Sequence, residues 1–289
     1  KNAPDERQFN HPFVQTLLTK VSERAGYCLV LGGWPQNNWP VALAAKSNFK
    51  IIVTESDRAE VATIRSMLDK YGLQGQVTIH EGNFEKLPYP DYFANIIVVG
   101  EKTTTSPAEA LRVLQPYHGI VIMSDGSSMK NWTKGSLPLG GKYESNEVLR
   151  RGPLPAAGIW SHQYAAPDNS NSSGDCWVRG DVSVLWFGEP GPREMIDRHN
   201  RTMASLFNNG RLFVPANERI IALNPYNGTR LWDMDVPGSR RVGVLKDAAQ
   251  MALGREHLYI AVSNQCLVID QGDGSQIATL TLPEKEVAE

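Results

Sequence analysis

The chain has 289 residues, 41% of them hydrophobic, with 29 Lys and Arg against 31 Asp and Glu for a net charge of −2. That length suggests about two domains, and the balanced charge gives no general attraction for nucleic acid or an anionic membrane surface. No apolar run approaches the ~20 residues of a membrane-spanning helix.

The chain begins at Lys1 without a methionine or a signal-peptide apolar core, and reads as a piece of a longer protein. From residue 11 to about 125, helical and strand patterns alternate. HPFVQTLLTKVSERAG places Phe13, Leu17, Leu18 and Val21 at helical spacing and is expected to stop at Gly26. CLVLGG reads as a strand running into a glycine turn, and Pro40 opens a helix with Asn38 as its expected cap. KIIVTE is the second strand. SDRAEVATIRSMLDKYG is a helix with Val61, Ile64, Met67 and Leu68 on one face and Gly72 closing it. QVTIHEG, ANIIVVG and GIVIMS supply three more strands, with SPAEALRVL a helix before the last. This alternation implies a parallel sheet with helices on both faces; it leaves the strand order open.

After about residue 126 the pattern ends. Residues 127–158, polar and rich in Gly and Pro, are expected to be a linker. Beyond it lies an internal repeat: RLFVPANERIIALNPYNGTRLW, from residue 211, matches EHLYIAVSNQCLVIDQGDGSQIA, from residue 256, at an offset of 46. Leu212 matches Leu258, Phe213 Tyr259, Ala222 Val268, Leu223 Ile269 and Gly228 Gly274; one period earlier Trp232 falls on Trp186. Two hydrophobic strands, an Asn-Gly or Asp-Gly turn and a third strand make a unit of the length of one propeller blade. Residues 159–289 have room for about two to three such units, whereas closure needs at least ~4 blades. The missing blades are expected from the rest of the protein or from a partner subunit that covers the open edges.

The first half resembles a class I S-adenosylmethionine-dependent methyltransferase domain. The resemblance rests on CLVLGG, on Glu55 ending the second strand, on GNFEKLPYPDYFANIIVVGE before and through the fourth strand, and on AEALRVLQPYHGIVIM. It implies an α/β Rossmann-like parallel-sheet sandwich over residues 1–126. The second half resembles the quinoprotein (PQQ)-type β-propeller, as an incomplete all-β propeller segment. The combined layout resembles large planctomycete-type exported proteins, which implies a periplasmic or exported location.

The methyltransferase resemblance implies S-adenosylmethionine as cofactor and assigns its binding to Gly32, Gly33, Glu55, Asn83, Phe84 and Glu101. The glycines would approach the donor, Glu55 would take the ribose hydroxyls, and Asn83 with Phe84 would flank the adenine. The loop departs from the family: Leu29, Val30 and Leu31 are apolar where an acidic residue is usual, and Trp34, Pro35 and Gln36 replace later glycines. Glu55 reads equally as a carboxylate at a helix start, beside Ser56 and Asp57. No catalytic residue is assigned.

In the second half, Asp197, Arg198, His199 and Arg201 crowd one loop. They read either as an anion site or as ion pairs between blades. Trp186 and Trp232 read as blade packing, and His162 as a structural histidine. Cys28, Cys176 and Cys266 are too scattered for a zinc or redox pair, and no cluster has metal-ligand spacing. The sequence lacks a P-loop and a G-x-S-x-G elbow. The leading expectation is a methyltransferase-type module joined to the propeller segment, with degeneracy of its donor loop left open. The alternatives are a non-catalytic scaffold of a larger exported assembly and a fragment of a PQQ-type oxidoreductase, although no quinone ligand set is visible.

Overall fold

The computed structural model of the chain describes residues 11–82, 84–134, 137, 140–196, 203–239 and 250–283. The chain divides into two units, Lys1–Pro155 and Ala156–Glu289.

The first unit alternates strand and helix as its apolar periodicity requires. Its opening elements are α1 (Pro12–Lys20), β1 (Ala25–Leu31), α2 (Trp39–Lys46), β2 (Asn48–Glu55) and α3 (Arg58–Tyr71). Then come β3 (Val77–Glu81), β4 (Ile96–Val99), α4 (Pro107–Val113) and β5 (Ile120–Met123). α5 (Met129–Trp132), β6 (Gly141–Tyr143) and β7 (Val148–Arg151) complete it. α3 shows why these boundaries fall where they do. The Asp57 carboxylate accepts from the backbone N–H groups of Ala59 and Glu60, and Gly72 ends the helix in the left-handed region at φ +70°. A cap of this kind stabilises a helix by about 1 kcal/mol.

The sheet has seven strands in the order β3-β2-β1-β4-β5-β7-β6. The first five are parallel, and β7 runs antiparallel to both β5 and β6. Successive residues of β1, β2, β4 and β5 feed two cores on opposite faces. Val30, Val53, Val98 and Ile122 pack with α1, α2 and α3 on one face. Leu29, Ile52, Ile97 and Val121 pack with α4 and Met129 on the other.

Four details differ from the sequence reading. α1 stops at Lys20, and Gly26 lies inside β1 at φ +131°. A Cβ on Gly26 would sit 2.2 Å from the Asn95 side chain, whose Oδ1 accepts from the Tyr27 N–H, so the glycine serves packing and not a helix stop. Asn38 stands at the start of α2, but its side chain accepts from the Trp34 indole (2.7 Å) and caps no helix N–H. The sheet is mixed and not wholly parallel. And the stretch expected as a linker supplies α5, β6 and β7. β7 is anchored by Arg151, whose buried guanidinium donates to the carbonyls of Leu111 and Leu114 at the end of α4, where a cation suits the helix dipole.

The second unit contains two four-stranded antiparallel sheets. One is formed by β8 (Leu206–Asn208), β9 (Arg211–Ala216), β10 (Arg219–Leu223) and β11 (Arg230–Asp235). The other is formed by β12 (Met251–Leu253), β13 (His257–Val262), β14 (Gln265–Asp270) and β15 (Gln276–Thr281). The repeat of the sequence is therefore a repeat of structure, with a short extra strand, β8 or β12, ahead of the three expected. One core joins the two sheets: Phe213, Ile220 and Ala222 meet Leu258, Ile260 and Ile269. The matched tryptophans do matched work. The Trp186 indole donates to the Pro225 carbonyl and lies over Gly228; the Trp232 indole donates to the Gln271 carbonyl and lies over Gly274. Among the described residues no third sheet precedes these two, and residues 181–188 around Trp186 form no strand. Among them, too, no helix is long and apolar enough to cross a membrane.

Candidate functional site

In an open doubly wound sheet, ligands bind beyond the carboxyl ends of the strands where the strand order reverses. Here that point lies between β1 and β4, the two strands that leave the sheet centre in opposite directions. The residues reaching it are 32–38 after β1, Gly82 and Phe84 after β3 and 100–105 after β4, with Glu55 at the end of β2. The sequence-expected residues Gly32, Gly33, Glu55 and Phe84 do converge there, around a cavity of about 60 Å³ that Thr54, Gly82 and Lys102–Thr105 also line.

The backbone of the glycine loop is already occupied. The Gly32 N–H donates to Thr54 Oγ1 (3.3 Å), the Gly33 N–H to the Thr54 carbonyl (2.9 Å) and the Trp34 N–H to Glu55 Oε2 (3.1 Å). The other Glu55 oxygen accepts from the Asp57 N–H at 2.9 Å. Glu55 is only 5% exposed. Burial alone would raise its pKa, but the N–H groups of Asp57 and Trp34 hold the carboxyl below its ordinary value.

The glycines have internal reasons to be glycine. At φ +99°, a Cβ on Gly32 would lie 2.5 Å from the Thr103 nitrogen; at φ +96°, one on Gly33 would lie 2.9 Å from Glu55 Oε2. The loop after β4 therefore rests directly on the loop after β1. Phe84 closes the remaining side: its ring lies against Gly82, and its carbonyl accepts from the Thr105 hydroxyl at 2.9 Å.

The glycine turn also borders a larger cavity of about 410 Å³, lined by Val30, Gly32–Asn37, Trp39, Gly100–Lys102, Ser124 and Asp125. That volume is within the range of small-molecule sites, roughly 300–1,000 Å³. Trp39 is 1% exposed, and its indole nitrogen is a buried donor without a hydrogen-bond partner. Asp125 accepts from the Ser127 N–H; burial opposes that bond's effect on its carboxyl, and the net result is a lowered pKa. Glu101 lines this cavity and not the smaller one, at an exposed position.

Asn83 lies outside the described residues, as do Asp197, Arg198, His199 and Arg201. His162 belongs to a tight turn in the second unit, with Nδ1 2.9 Å from the Ser161 hydroxyl and its carbonyl accepting from the Ala165 N–H. Sequence reasoning missed Thr54, Trp39 and the role of the threonine run 103–105. The run was visible, but nothing in its spacing says that it packs on a glycine turn.

No protein-family model matches the chain, and no curated protein matches it. Solved structures similar to part of it include a putative S-adenosyl-L-methionine-dependent methyltransferase from Methanococcus maripaludis, at 19% identity over 41% of this chain and a TM-score of 0.35. A putative sarcosine dimethylglycine methyltransferase from Galdieria sulphuraria has 22% identity over 38% and a TM-score of 0.34. A SAM-dependent methyltransferase from Aquifex aeolicus has 16% identity over 42% and a TM-score of 0.34. The chain spans 57%, 44% and 66% of those three proteins. At these identities the likenesses concern the fold alone, and the chemistry rests with this chain's own residues.

Proposed function

We propose that the first unit is a module of the S-adenosylmethionine-dependent methyltransferase type whose donor cradle has passed to structural use, so that it transfers no methyl group. The observation that carries this reading is the set of three consecutive loop N–H groups, of Gly32, Gly33 and Trp34, all donating within the protein. A cofactor held by backbone approach needs such groups free. The cavity that Gly32 and Gly33 share with Glu55 and Phe84 holds about 60 Å³, below the roughly 300–1,000 Å³ of small-molecule sites. The residues present do not fit the donor in this arrangement, so no chemical step is routed through it. Calorimetric titration with S-adenosylhomocysteine tests the proposal: no saturable heat is expected up to millimolar ligand, a Kd that corresponds to about −4 kcal/mol. Saturable micromolar binding abolished by Glu55→Ala would replace this reading with a live enzyme.

One observation favours that second reading. The 410 Å³ cavity and the unpartnered Trp39 indole could serve a bound small molecule if the 100–105 loop moved off Gly32. For the second unit we propose the role expected from its repeat, a segment of a quinoprotein-like propeller acting as a scaffold in a larger exported assembly. The matched tryptophan anchors of its two sheets support this.

A further inference from the structure

The bonds that close the glycine turn also change what the neighbouring cavity of about 410 Å³ can hold. A glycine loop with free N–H groups attracts anions and hydrogen-bond acceptors. Here the N–H groups of Gly32, Gly33 and Trp34 are spent within the protein. Two further donors on the cavity wall are spent as well. The Gly100 N–H donates to the Leu31 carbonyl (2.8 Å), and the Ser124 hydroxyl to the Val99 carbonyl (3.1 Å). The Trp34 indole N–H goes to Asn38, which also fixes that ring.

The acceptors on the same wall are left over. Glu101 and Asp125 line the cavity at exposed positions, and among the described residues neither forms an ion pair. Asp125 accepts from the Ser127 N–H, which uses one of the several lone-pair sites of a carboxylate. Lys102 brings a single positive charge against these two, and it also lines the smaller cavity. Trp34 and Trp39 add indole surface. The Trp39 indole N–H is a buried donor without a partner.

We infer that this cavity is a binding site for a small organic cation: a protonated amine on a flat apolar body that carries one hydrogen-bond acceptor. The ammonium group is held at the rim by Glu101 and Asp125. The body lies against Trp34 and Trp39, where apolar contact and cation–π attraction act together. The acceptor takes the Trp39 N–H, whose burial without a partner otherwise costs stability. No movement of residues 100–105 is needed. The inference rests on the reading that the donor cradle is closed, because a loop with free N–H groups would favour the opposite charge.

Tyramine is the probe, a protonated amine whose phenol oxygen is the acceptor. Its anionic, uncharged and acceptor-free counterparts are para-hydroxyphenylacetate, para-ethylphenol and phenethylamine. Each is titrated into the whole chain and followed in ¹H–¹⁵N spectra at the Trp39 indole N–H. Tyramine is expected to saturate that signal with a Kd below about 1 mM. The anion and the uncharged phenol should bind at least about tenfold more weakly. Phenethylamine should bind without the downfield shift that a new hydrogen bond gives the indole proton. Glu101→Gln combined with Asp125→Asn, both at exposed positions, should bring tyramine to the affinity of para-ethylphenol. Three results overturn the inference: an anion that binds as tightly as tyramine, tyramine binding unchanged in the double variant, or no saturation by tyramine up to about 10 mM. A parallel titration with S-adenosylhomocysteine separates the two readings. Silence from both ligands removes this inference alone, whereas saturable S-adenosylhomocysteine binding removes the closed cradle and this inference with it.

Discussion

Trp34 and Glu55 hold each other across the crevice at the centre of the first sheet: the Trp34 backbone N–H donates to Glu55 Oε2 at 3.1 Å. The carboxylate that ends β2, in the position expected to receive a ribose, instead receives the loop that would have received the donor. With the Gly32 and Gly33 amides donating to Thr54, this bond ties the whole glycine turn to the end of β2.

Glu55→Ala removes the acceptor of both the Trp34 and the Asp57 N–H groups. Both bonds are part-buried, so losing the shared charged acceptor should cost about 1 kcal/mol or somewhat more in urea denaturation of the first unit. Glu55→Gln, which keeps one acceptor oxygen, should lose less. Equal stability of both variants and the parent chain would mean that Glu55 is not structural.

Because the Glu55 carboxyl is held below its ordinary value, its contribution has a defined pH window. A depressed carboxylate stabilises fully above its unfolded pKa of about 4.3, and that stability is lost as pH falls through the lower folded value. Thermal melts from pH 6 down to pH 3 should show a drop below about pH 4.3 that is smaller in Glu55→Gln. An identical pH profile in the two proteins would contradict the assignment.

Gly32→Ala distinguishes packing from ligand approach. Its Cβ would meet the Thr103 backbone nitrogen at 2.5 Å in a left-handed conformation, whereas Gly72 has a similar φ and nothing within 4 Å. Strained φ alone costs on the order of 1 kcal/mol. Gly32→Ala should therefore destabilise clearly more than Gly72→Ala in parallel denaturation curves. Were Gly32 a glycine only for the sake of a ligand, the two losses would match.

The paired anchors of the second unit make a parallel forecast. Trp232→Phe keeps an aromatic ring but deletes the indole donor to the Gln271 carbonyl, a net loss of about 1 kcal/mol. Trp186→Phe should behave alike through Pro225. Amide exchange at Gly274 should quicken in the first variant and at Gly228 in the second, each without the other. Loss of protection at both turns from either substitution would show that the two anchors are not independent.

Much of this was legible in the residues themselves. The strand–helix alternation was readable because apolar spacing switches between periods of two and 3.6, and the 46-residue repeat because Leu, Trp and Gly recur at fixed offsets. β6 and β7 were hidden in GKYESNEVLRR, since strands that short have no periodicity of their own; β7 exists through its pairing with β5 and β6 and through the Arg151 anchor. β8 and β12, at three residues each, escaped for the same reason. The position of the cradle could be found from CLVLGG and Glu55. Its closure could not, because it depends on Thr54, Thr103 and Phe84 meeting across three loops, and no local pattern encodes such a meeting.

The amides of Gly32, Gly33 and Trp34 offer the most direct measurement. In ¹H–¹⁵N spectra they should exchange slowly with solvent, and they should keep their chemical shifts when S-adenosylhomocysteine is added to millimolar concentration. Saturable shifts at these three amides, with the ligand holding what Thr54 and Glu55 now hold, would contradict the account.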